Sequence, residues 1–220
     1  MGNLRLLVAD DHEIVRRGLR SIFEEQPGWE IAGEATNGRE AVLKAKHLKP
    51  DVTVLDLGMP SLNGLEATRQ LLRENQNAKV LILASHASDP LVRQALKAGA
   101  RGCVAKSSLS GELVAAVNAV GQNKPYCSPA FASNLNNSDK TAHRRSQDGI
   151  PQQLPQQLTA RQREVVQLLA EGETSKNVGV LLGISSKTAE THRANIMRRL
   201  DCHSVSDLVR YAVRNKMIEA

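Results

Sequence analysis

Short apolar segments alternate with longer amphipathic segments along residues 4–122, and this alternation constrains the fold more than any other feature. The apolar segments have the length and composition of strands; they are Leu4–Ala9, Glu30–Ala35, Val52–Leu55, Lys79–Ala84 and Gly102–Ala105. The segments between them carry apolar residues at helical spacing; they are His12–Glu25, Gly38–Leu48, Gly64–Arg73, Asp89–Ala98 and Leu109–Val120. Strands that alternate with helices form a parallel sheet with both faces covered. The sequence therefore predicts an α/β fold, a doubly wound parallel sheet of five strands.

The composition changes after Gln122, where prolines and many Asn, Gln and Ser residues replace the periodic pattern. Apart from a helical pattern near 130–135, this stretch is typical of a flexible linker. Apolar residues return at helical spacing from Leu158 onward. We therefore predict three parts: an α/β domain at 4–122, a linker at 123–153 and a small all-α domain at 154–219.

Composition, apolar runs and cysteine spacing limit the classes of protein to which the chain can belong. Only 2% of the residues are aromatic and 41% are hydrophobic, so the core must be aliphatic. The N-terminus lacks the features of a signal peptide, and no apolar run reaches the roughly 18 residues that a membrane span requires. The three cysteines lack the spacing of a zinc site or a disulfide framework. These features predict a cytoplasmic protein with no membrane partner.

Charged side chains follow three of the predicted strands. Asp10 and Asp11 follow the first strand, Asp56 follows the third and Lys106 follows the fifth. Since the carboxyl ends of parallel strands share one sheet edge, these side chains should lie close together. Clustered carboxylates repel one another and favour a hard cation such as Mg²⁺, and a carboxylate beside a cation and a lysine can attack phosphorus. The alternative is that Asp56 only caps a loop, as aspartate often does.

Residues 158–220 form a predicted bundle of four helices with a helix-turn-helix in the middle. Thr159 and Gln162 have the spacing of a capping box at the first helix, and Gly183 separates the second helix from the third. This part carries 10 basic and 7 acidic side chains, an excess that mildly favours nucleic acid as a partner.

The third helix of this bundle, Ser186–Leu200, has a polar face that suits the major groove of duplex DNA. Its basic side chains suit phosphates, whereas Glu190, Thr191 and Asn195 could read base edges. The residues predicted to contact DNA are Lys187, Thr188, Glu190, Thr191, Arg193, Ala194, Asn195, Arg198 and Arg199. The alternative is an amphipathic helix whose charged face is only hydrated, and periodicity alone favours that alternative.

The predicted α/β domain resembles the receiver domain of bacterial two-component response regulators, which has a flavodoxin-like fold. The resemblance rests on the pair Asp10-Asp11, on the stretch Asp56–Gly64 and on Lys106. It implies that Asp56 is the phosphoacceptor and that Lys106 pairs with the phosphoryl group. It also implies a Mg²⁺ site formed by Asp10, Asp11, Asp56 and the backbone carbonyl of Gly58.

The predicted helical domain resembles the LuxR-type DNA-binding domain through the stretches Leu158–Glu164, Leu182–Ser185 and Lys187–Ile196. Together the two domains resemble a response regulator of the NarL/FixJ class over nearly the whole chain. This implies a transcription regulator rather than an enzyme, phosphorylated by a sensor histidine kinase and bound to promoter DNA as a homodimer. In this class the fourth helix often supplies the dimer contact, and the candidates are then Leu208, Val209 and Ala212.

Two positions depart from the receiver pattern. Ala84 stands where receivers carry Ser or Thr, and Cys103 stands where they carry Tyr or Phe. In the family the hydroxyl bonds the phosphoryl group, and Ala84 offers no such hydrogen bond, which contributes about 1.5–3 kcal/mol with a charged group. We interpret Cys103 as a small buried hydrophobe rather than a redox group. These two positions motivate one alternative function, a DNA-binding regulator with weakened or lost phosphorylation control. A further alternative is a phosphorelay module.

One glycine departs from the LuxR-type pattern. Gly179 stands inside the second predicted helix of the bundle, where the family commonly has Ala. Glycine costs a helix about 1 kcal/mol relative to Ala. This departure predicts looser packing rather than a change of function.

Overall fold

A computed structural model of the chain describes residues 3–85, 90–108, 110–129, 131 and 158–218. The chain divides into two compact units, one made mainly of residues before Ile150 and one mainly of residues after it. The helical pattern near 130–135 and most of the predicted linker lie outside the described residues. The domain bounds read from composition therefore stay a prediction.

The first unit is a parallel sheet with helices between its strands. The strands are β1 (Leu4–Ala9), β2 (Trp29–Ala35), β3 (Val52–Asp56), β4 (Val80–Ala84), β5 (Gly102–Ala105) and β6 (Tyr126–Cys127). The helices are α1 (Glu13–Glu24), α2 (Gly38–Leu48), α3 (Gly64–Glu74), α4 (Pro90–Lys97) and α5 (Ser110–Gly121). The strand order is β2-β1-β3-β4-β5-β6 and every pair is parallel. The order reverses between β1 and β3, where doubly wound sheets place their sites.

Among the residues that the structure describes, the sheet has six strands, so the predicted number of five is wrong. The additional strand β6 has only two residues and pairs with β5 at the sheet edge. The Tyr126 N–H donates to the Arg101 carbonyl over 3.0 Å, and the Ser128 N–H donates to the Cys103 carbonyl over 3.0 Å. A strand of two residues shows no period in the sequence, and its position after Pro125 is typical of a linker.

The core of the sheet unit is mainly aliphatic, as the composition predicted, with the fully buried Phe23 as an aromatic member. Leu6, Val54, Leu81 and Val104 come from four neighbouring strands and are at most 1% exposed, in a cluster that α1 and α5 cover. These contacts fix the central strands side by side. The carboxyl ends of the strands therefore form one fixed edge.

Over residues 158–218 the second unit has four helices, as predicted: α6 (Ala160–Ala170), α7 (Ser175–Leu182), α8 (Ser186–Arg199) and α9 (Val205–Arg214). Thr159 and Gln162 form the capping box expected at α6. Gly183 ends α7 in the left-handed region at φ 63°, which glycine adopts without strain. Ser185 then caps α8 by accepting a hydrogen bond from the Thr188 N–H. The turn between α7 and α8 is therefore short, as a helix-turn-helix requires.

The four helices enclose a small aliphatic core, in which Val165, Leu168, Ile196 and Leu208 are fully buried. In the part of the chain that the structure describes, every helix is too short or too polar to cross a membrane.

Candidate functional site

A cluster of charged side chains lies at the carboxyl edge of the sheet. Asp10 follows β1 and is fully buried, and Asp56 ends β3 with 3% of its surface exposed. Lys106 follows β5, and its Nζ lies 2.8 Å from Asp10 Oδ2 and 3.0 Å from Asp56 Oδ2. The topology thus brings together three side chains that are far apart in sequence, which is the proximity that the strand-end pattern predicted.

Burial controls the protonation of this cluster. Desolvation of the carboxylate, with the charge of Asp10 adding to it, outweighs the attraction of Lys106 and raises the pKa of Asp56 to about 6. Desolvation lowers the pKa of Lys106, but its hydrogen bonds and ion pairs with Asp10 and Asp56 outweigh this and leave that pKa raised. Lys106 is therefore charged, whereas Asp56 is mostly ionised at neutral pH and takes up a proton in mildly acidic solution.

Asp11 and His12 extend the cluster toward solvent. One ligand atom each from Asp10, Asp11 and His12 lies within 4.8 Å of the others, and the latter two residues are exposed. His12 Nδ1 lies 2.9 Å from Asp11 Oδ1 and 3.2 Å from Asp10 Oδ1. Carboxylate oxygens are the ligands that Mg²⁺ prefers, so the donor set fits that cation. Sequence reasoning missed His12, for which the only signal was its position directly after the two aspartates.

A close approach of the backbone holds Asp56 in place. The Gly58 N–H donates to the Asp56 carboxylate. Gly64 begins α3, and its N–H donates to the Leu57 carbonyl over 3.0 Å. A Cβ added to Gly64 would lie 2.0 Å from the Asp56 backbone oxygen. Any side chain at position 64 would therefore displace the strand end that carries Asp56.

The two positions that depart from the receiver pattern are buried near this edge. Ala84 ends β4 with 1% of its surface exposed, and its carbonyl accepts a hydrogen bond from the Lys106 N–H over 2.9 Å. Cys103 lies in β5 and is fully buried. Ser85 follows β4 in an exposed bend. The end of β4 therefore presents a methyl group where the family pattern has a hydroxyl.

Helix α8 presents the polar face that the sequence predicted. Ala189 and Ile196 are buried in the core of the helical unit. Arg193 is half-buried, and the other predicted DNA contacts are exposed: Lys187, Thr188, Glu190, Thr191, Ala194, Asn195, Arg198 and Arg199. The Thr191 hydroxyl donates to the Lys187 carbonyl over 2.9 Å, and Arg198 donates to Asn195 Oδ1 over 2.8 Å. A partner that contacts Thr191 or Asn195 must therefore exchange or extend these hydrogen bonds.

The predicted dimer contact lies on α9 and stays a prediction. Leu208 and Ala212 are fully buried in the core of the helical unit, where α9 packs against α6. Val209 is half-buried and Val205 is 42% exposed. The helical period places these four positions within about 100° of one another, with 208 at one side of the stripe and 209 at the other. The buried Leu208 and the half-buried Val209 are therefore the two borders of one face of α9.

Two family descriptions cover most of the chain. Residues 6–118 match the response regulator receiver domain, and residues 156–212 match the bacterial regulatory proteins of the luxR family. The transcriptional regulatory protein LiaR of Bacillus subtilis (strain 168) is 37% identical to this chain, over 98% of this chain and 99% of LiaR.

Solved structures give the same assignment. A LuxR-family two-component response regulator from Aurantimonas sp. SI85-9A1 is 35% identical, with a TM-score of 0.60 over 62% of this chain and 97% of that chain. The response regulator ChrA of a heme-sensing two-component system is 29% identical, with a TM-score of 0.53 over 99% of this chain and 100% of that chain. This chain therefore belongs to the two-component response regulators of the NarL/FixJ class, in which a LuxR-type DNA-binding domain follows a receiver domain.

Proposed function

We propose that the protein is a transcription regulator whose binding to promoter DNA is controlled by phosphorylation of Asp56. The observation that carries this proposal is the position of Lys106 Nζ, 2.8 Å from Asp10 Oδ2 and 3.0 Å from Asp56 Oδ2. A lysine held between two buried carboxylates lies where it can pair with a phosphoryl group on either one. Asp56 is the one at the end of strand β3, where the loop to α3 begins.

The proposed phosphoryl donor is the phosphohistidine of a sensor histidine kinase. A carboxylate oxygen of Asp56 attacks phosphorus, the P–N bond to the histidine breaks, and the imidazole nitrogen that leaves keeps the bonding electrons. The product is an aspartyl phosphate, and Lys106 forms an ion pair with its phosphoryl group. Asp56 must enter this step as a carboxylate, and its pKa of about 6 leaves it mostly ionised at neutral pH.

The same residues would hold Mg²⁺. The proposed ligands are Asp10, Asp11, Asp56 and the backbone carbonyl of Gly58. When bound, the ion would offset the repulsion between these carboxylates and the phosphoryl oxygens. Lys106 could then exchange its ion pairs with the two aspartates for one with the phosphoryl group.

The proposed DNA-binding element is α8, which would enter the major groove as the second helix of the helix-turn-helix. The side chains that suit phosphates are Lys187, Arg193, Arg198 and Arg199. Those that suit base edges are Glu190, Thr191 and Asn195. In this proposal the protein binds promoter DNA as a homodimer in the cytoplasm and acts as a regulator rather than as an enzyme. The receiver domain would span residues 4–122, the linker 123–153 and the DNA-binding domain 154–219.

One observation favours a second function. Ala84 is buried at the end of β4 and offers the phosphoryl group no hydroxyl. In this second function the protein binds DNA appreciably without phosphate, and phosphorylation adds less than it does in relatives with Ser or Thr at this position.

Phosphorylation of the purified protein tests the first proposal. With acetyl phosphate and Mg²⁺, the intact mass of the wild type should increase by one phosphoryl group. Asp56→Asn should show no increase. Asp51→Asn is the matched control, because Asp51 is an exposed carboxylate just before the other end of β3. Equal phosphorylation of Asp56→Asn and wild type would show that Asp56 is not the phosphoacceptor.

A gel-shift with promoter DNA then separates the functions. Weak binding that becomes much stronger after phosphorylation supports the first function. Appreciable binding without phosphate, with little or no increase after phosphorylation, supports the second. Absence of DNA binding in both states would instead indicate a phosphorelay module.

A further inference from the structure

Two cysteines of the sheet unit lie side by side at its edge. Cys103 in β5 and Cys127 in β6 are register partners, and their Sγ atoms are 3.1 Å apart. Both are free thiols. They are 24 residues apart in sequence, so only the pairing of β6 with β5 brings them together.

The pair meets the backbone requirement for a disulfide. Neighbouring strands lie about 4.8 Å apart, within the Cα–Cα range of about 4.4–6.8 Å found across disulfides. Both side chains leave the sheet on the same face, since their sulfurs are in contact. The sulfurs need to approach by about 1 Å to reach the bond length of about 2.05 Å. Rotation of the side chains can supply that approach while the strands stay paired.

The two thiols differ in their access to solvent. Cys103 is fully buried, and desolvation, with the hydrogen bond to Cys127, raises its pKa far above the usual range. Cys127 is half-buried and lines a surface cavity of about 510 Å³. The cavity is also lined by Leu96, Gly99, Ala100, Arg101, Pro125 and Tyr126. A small oxidant that enters this cavity therefore meets Cys127 first.

We propose that Cys103 and Cys127 form a modification site that a hydroperoxide oxidises to an intramolecular disulfide. The Cys127 sulfur attacks a peroxide oxygen, the O–O bond breaks, and the products are a sulfenic acid on Cys127 and an alcohol or water. The Cys103 sulfur then attacks the Cys127 sulfur, the S–O bond breaks, and the Cys103 proton leaves with the hydroxide as water. Two thiols are oxidised and one hydroperoxide is reduced. A dithiol reductant reverses the change.

The disulfide would join β5 to the edge strand β6 and close a loop that contains α5. Closing a loop restricts the unfolded chain and stabilises the folded one. The oxidised protein should therefore unfold at a higher temperature than the reduced protein. The disulfide would involve neither Asp56 nor DNA, so an experiment can exclude it without excluding the proposed function.

Peptide mapping of the full-length protein tests the site. The protein is treated with hydrogen peroxide, alkylated without reduction and digested with trypsin. Cleavage after Arg101, Lys106 and Lys140 separates the two cysteines, so the disulfide should appear as peptide 102–106 linked to peptide 107–140. The number of free thiols should fall from three to one, and dithiothreitol should restore it. Cys202, in the helical unit, should remain a free thiol throughout.

Variants assign the two roles. Cys103→Ala should leave a sulfenic acid on Cys127 that dimedone traps, whereas Cys127→Ser should give neither a dimedone adduct at Cys103 nor a linked peptide. Cys202→Ala is the matched control and should form the disulfide as the wild type does. The proposal is overturned if the wild type keeps three free thiols, or if its linked peptides contain Cys202 or join two chains. The wild-type mapping decides this even if a variant does not fold.

Discussion

The charged cluster of the sheet unit and the polar face of α8 arise from different levels of structure. The cluster takes Asp10, Asp56 and Lys106 from three strand ends, and both carboxylates are almost completely buried. The polar face comes from one continuous helix, and nearly all of its side chains are exposed. The cluster therefore depends on topology and desolvation, whereas the face depends on the period of one helix.

This difference predicts which property changes when a charged side chain is removed, folding stability or binding. A buried charge that loses its partner destabilises the fold by several kcal/mol, whereas exposed charges contribute little to stability and act through a partner such as DNA. Substitutions in the cluster should therefore change folding stability, and substitutions on α8 should change binding alone.

The largest effect is expected for Lys106→Met. The substitution keeps an extended side chain but leaves Asp10 and Asp56 buried without their positive partner. The free energy of unfolding near neutral pH without Mg²⁺ should fall by about 3–5 kcal/mol, measured by urea denaturation. Lys97→Met is the matched control, because Lys97 is exposed on α4, and it should change stability by less than about 0.5 kcal/mol.

The pH dependence sharpens this test. The folded-state pKa of Asp56, about 6, lies above its ordinary value of 3.8, so the contribution of Asp56 to the stability of the Mg²⁺-free wild type should fall as the pH rises from about 4 to about 6. Without Lys106 the pKa of Asp56 rises further, so Asp56 is protonated near pH 5 in the folded Lys106→Met variant. The loss of unfolding free energy relative to the wild type should therefore be smaller near pH 5 than near neutral pH. A loss that is the same at both pH values would show that the lysine acts through packing rather than charge.

The same difference explains what the sequence could predict. The alternation of strands and helices predicts the fold, and strand-end positions predict the cluster, because parallel topology leaves few arrangements for them. The strand β6 was missed because two residues have no period. The pairing of Cys103 with Cys127 depends on that strand, so the sequence pattern did not predict it either.

In the helical unit, by contrast, the period of a helix predicts its faces but does not predict which residues pack against a neighbouring helix. The period of α8 predicts its exposed face correctly, because a single helix needs no topology to define its faces. On α9 the period places positions 205, 208, 209 and 212 within about 100° of one another and cannot tell which of them are buried. The burial of Leu208 and Ala212 comes from the packing of α9 against α6, and the dimer contact stays a prediction.

The next largest effect is expected for Ala84→Thr, with Ala84→Val as the control. Both substitutions add similar volume at a buried strand end, but only Thr adds a hydroxyl. A hydrogen bond to a charged group contributes about 1.5–3 kcal/mol, so Thr should increase the gain in DNA affinity on beryllofluoride binding by about tenfold or more. Fluorescence anisotropy with and without beryllofluoride measures this gain. An equal increase in the Val variant would assign the effect to volume.

A smaller effect is expected on α8. Lys187→Ala should weaken binding to all DNA sequences by a similar factor and should reduce the slope of log affinity against log salt by about 1. Thr191→Ala should instead change the preferred sequence. Neither substitution should alter the unfolding temperature, since both side chains are exposed. Unchanged DNA affinity in a Lys187→Ala, Arg198→Ala double variant would exclude α8 from the groove.

The smallest effect is expected for alanine at two helical glycines, one in each unit. In an exposed helix Gly→Ala stabilises by about 1 kcal/mol, and Gly18 in α1 has no atom within 4 Å of an added Cβ. At Gly179 in α7 an added Cβ would lie 2.9 Å from the Ile184 carbonyl oxygen and 3.3 Å from the Ser186 nitrogen. Those atoms belong to the turn and to the start of α8, so the helix-turn-helix would have to open slightly.

Gly18→Ala should therefore raise the free energy of unfolding by up to about 1 kcal/mol. Gly179→Ala should lose that gain and lower DNA affinity, because a shifted α8 no longer fits the groove as well. Thermal unfolding and anisotropy on both variants measure the two effects. If Gly179→Ala stabilises the protein as much as Gly18→Ala does, and DNA affinity is unchanged, then the turn tolerates a side chain at position 179. The glycine would then reflect loose packing, as the sequence alone predicted, rather than the close approach of α7 to the turn.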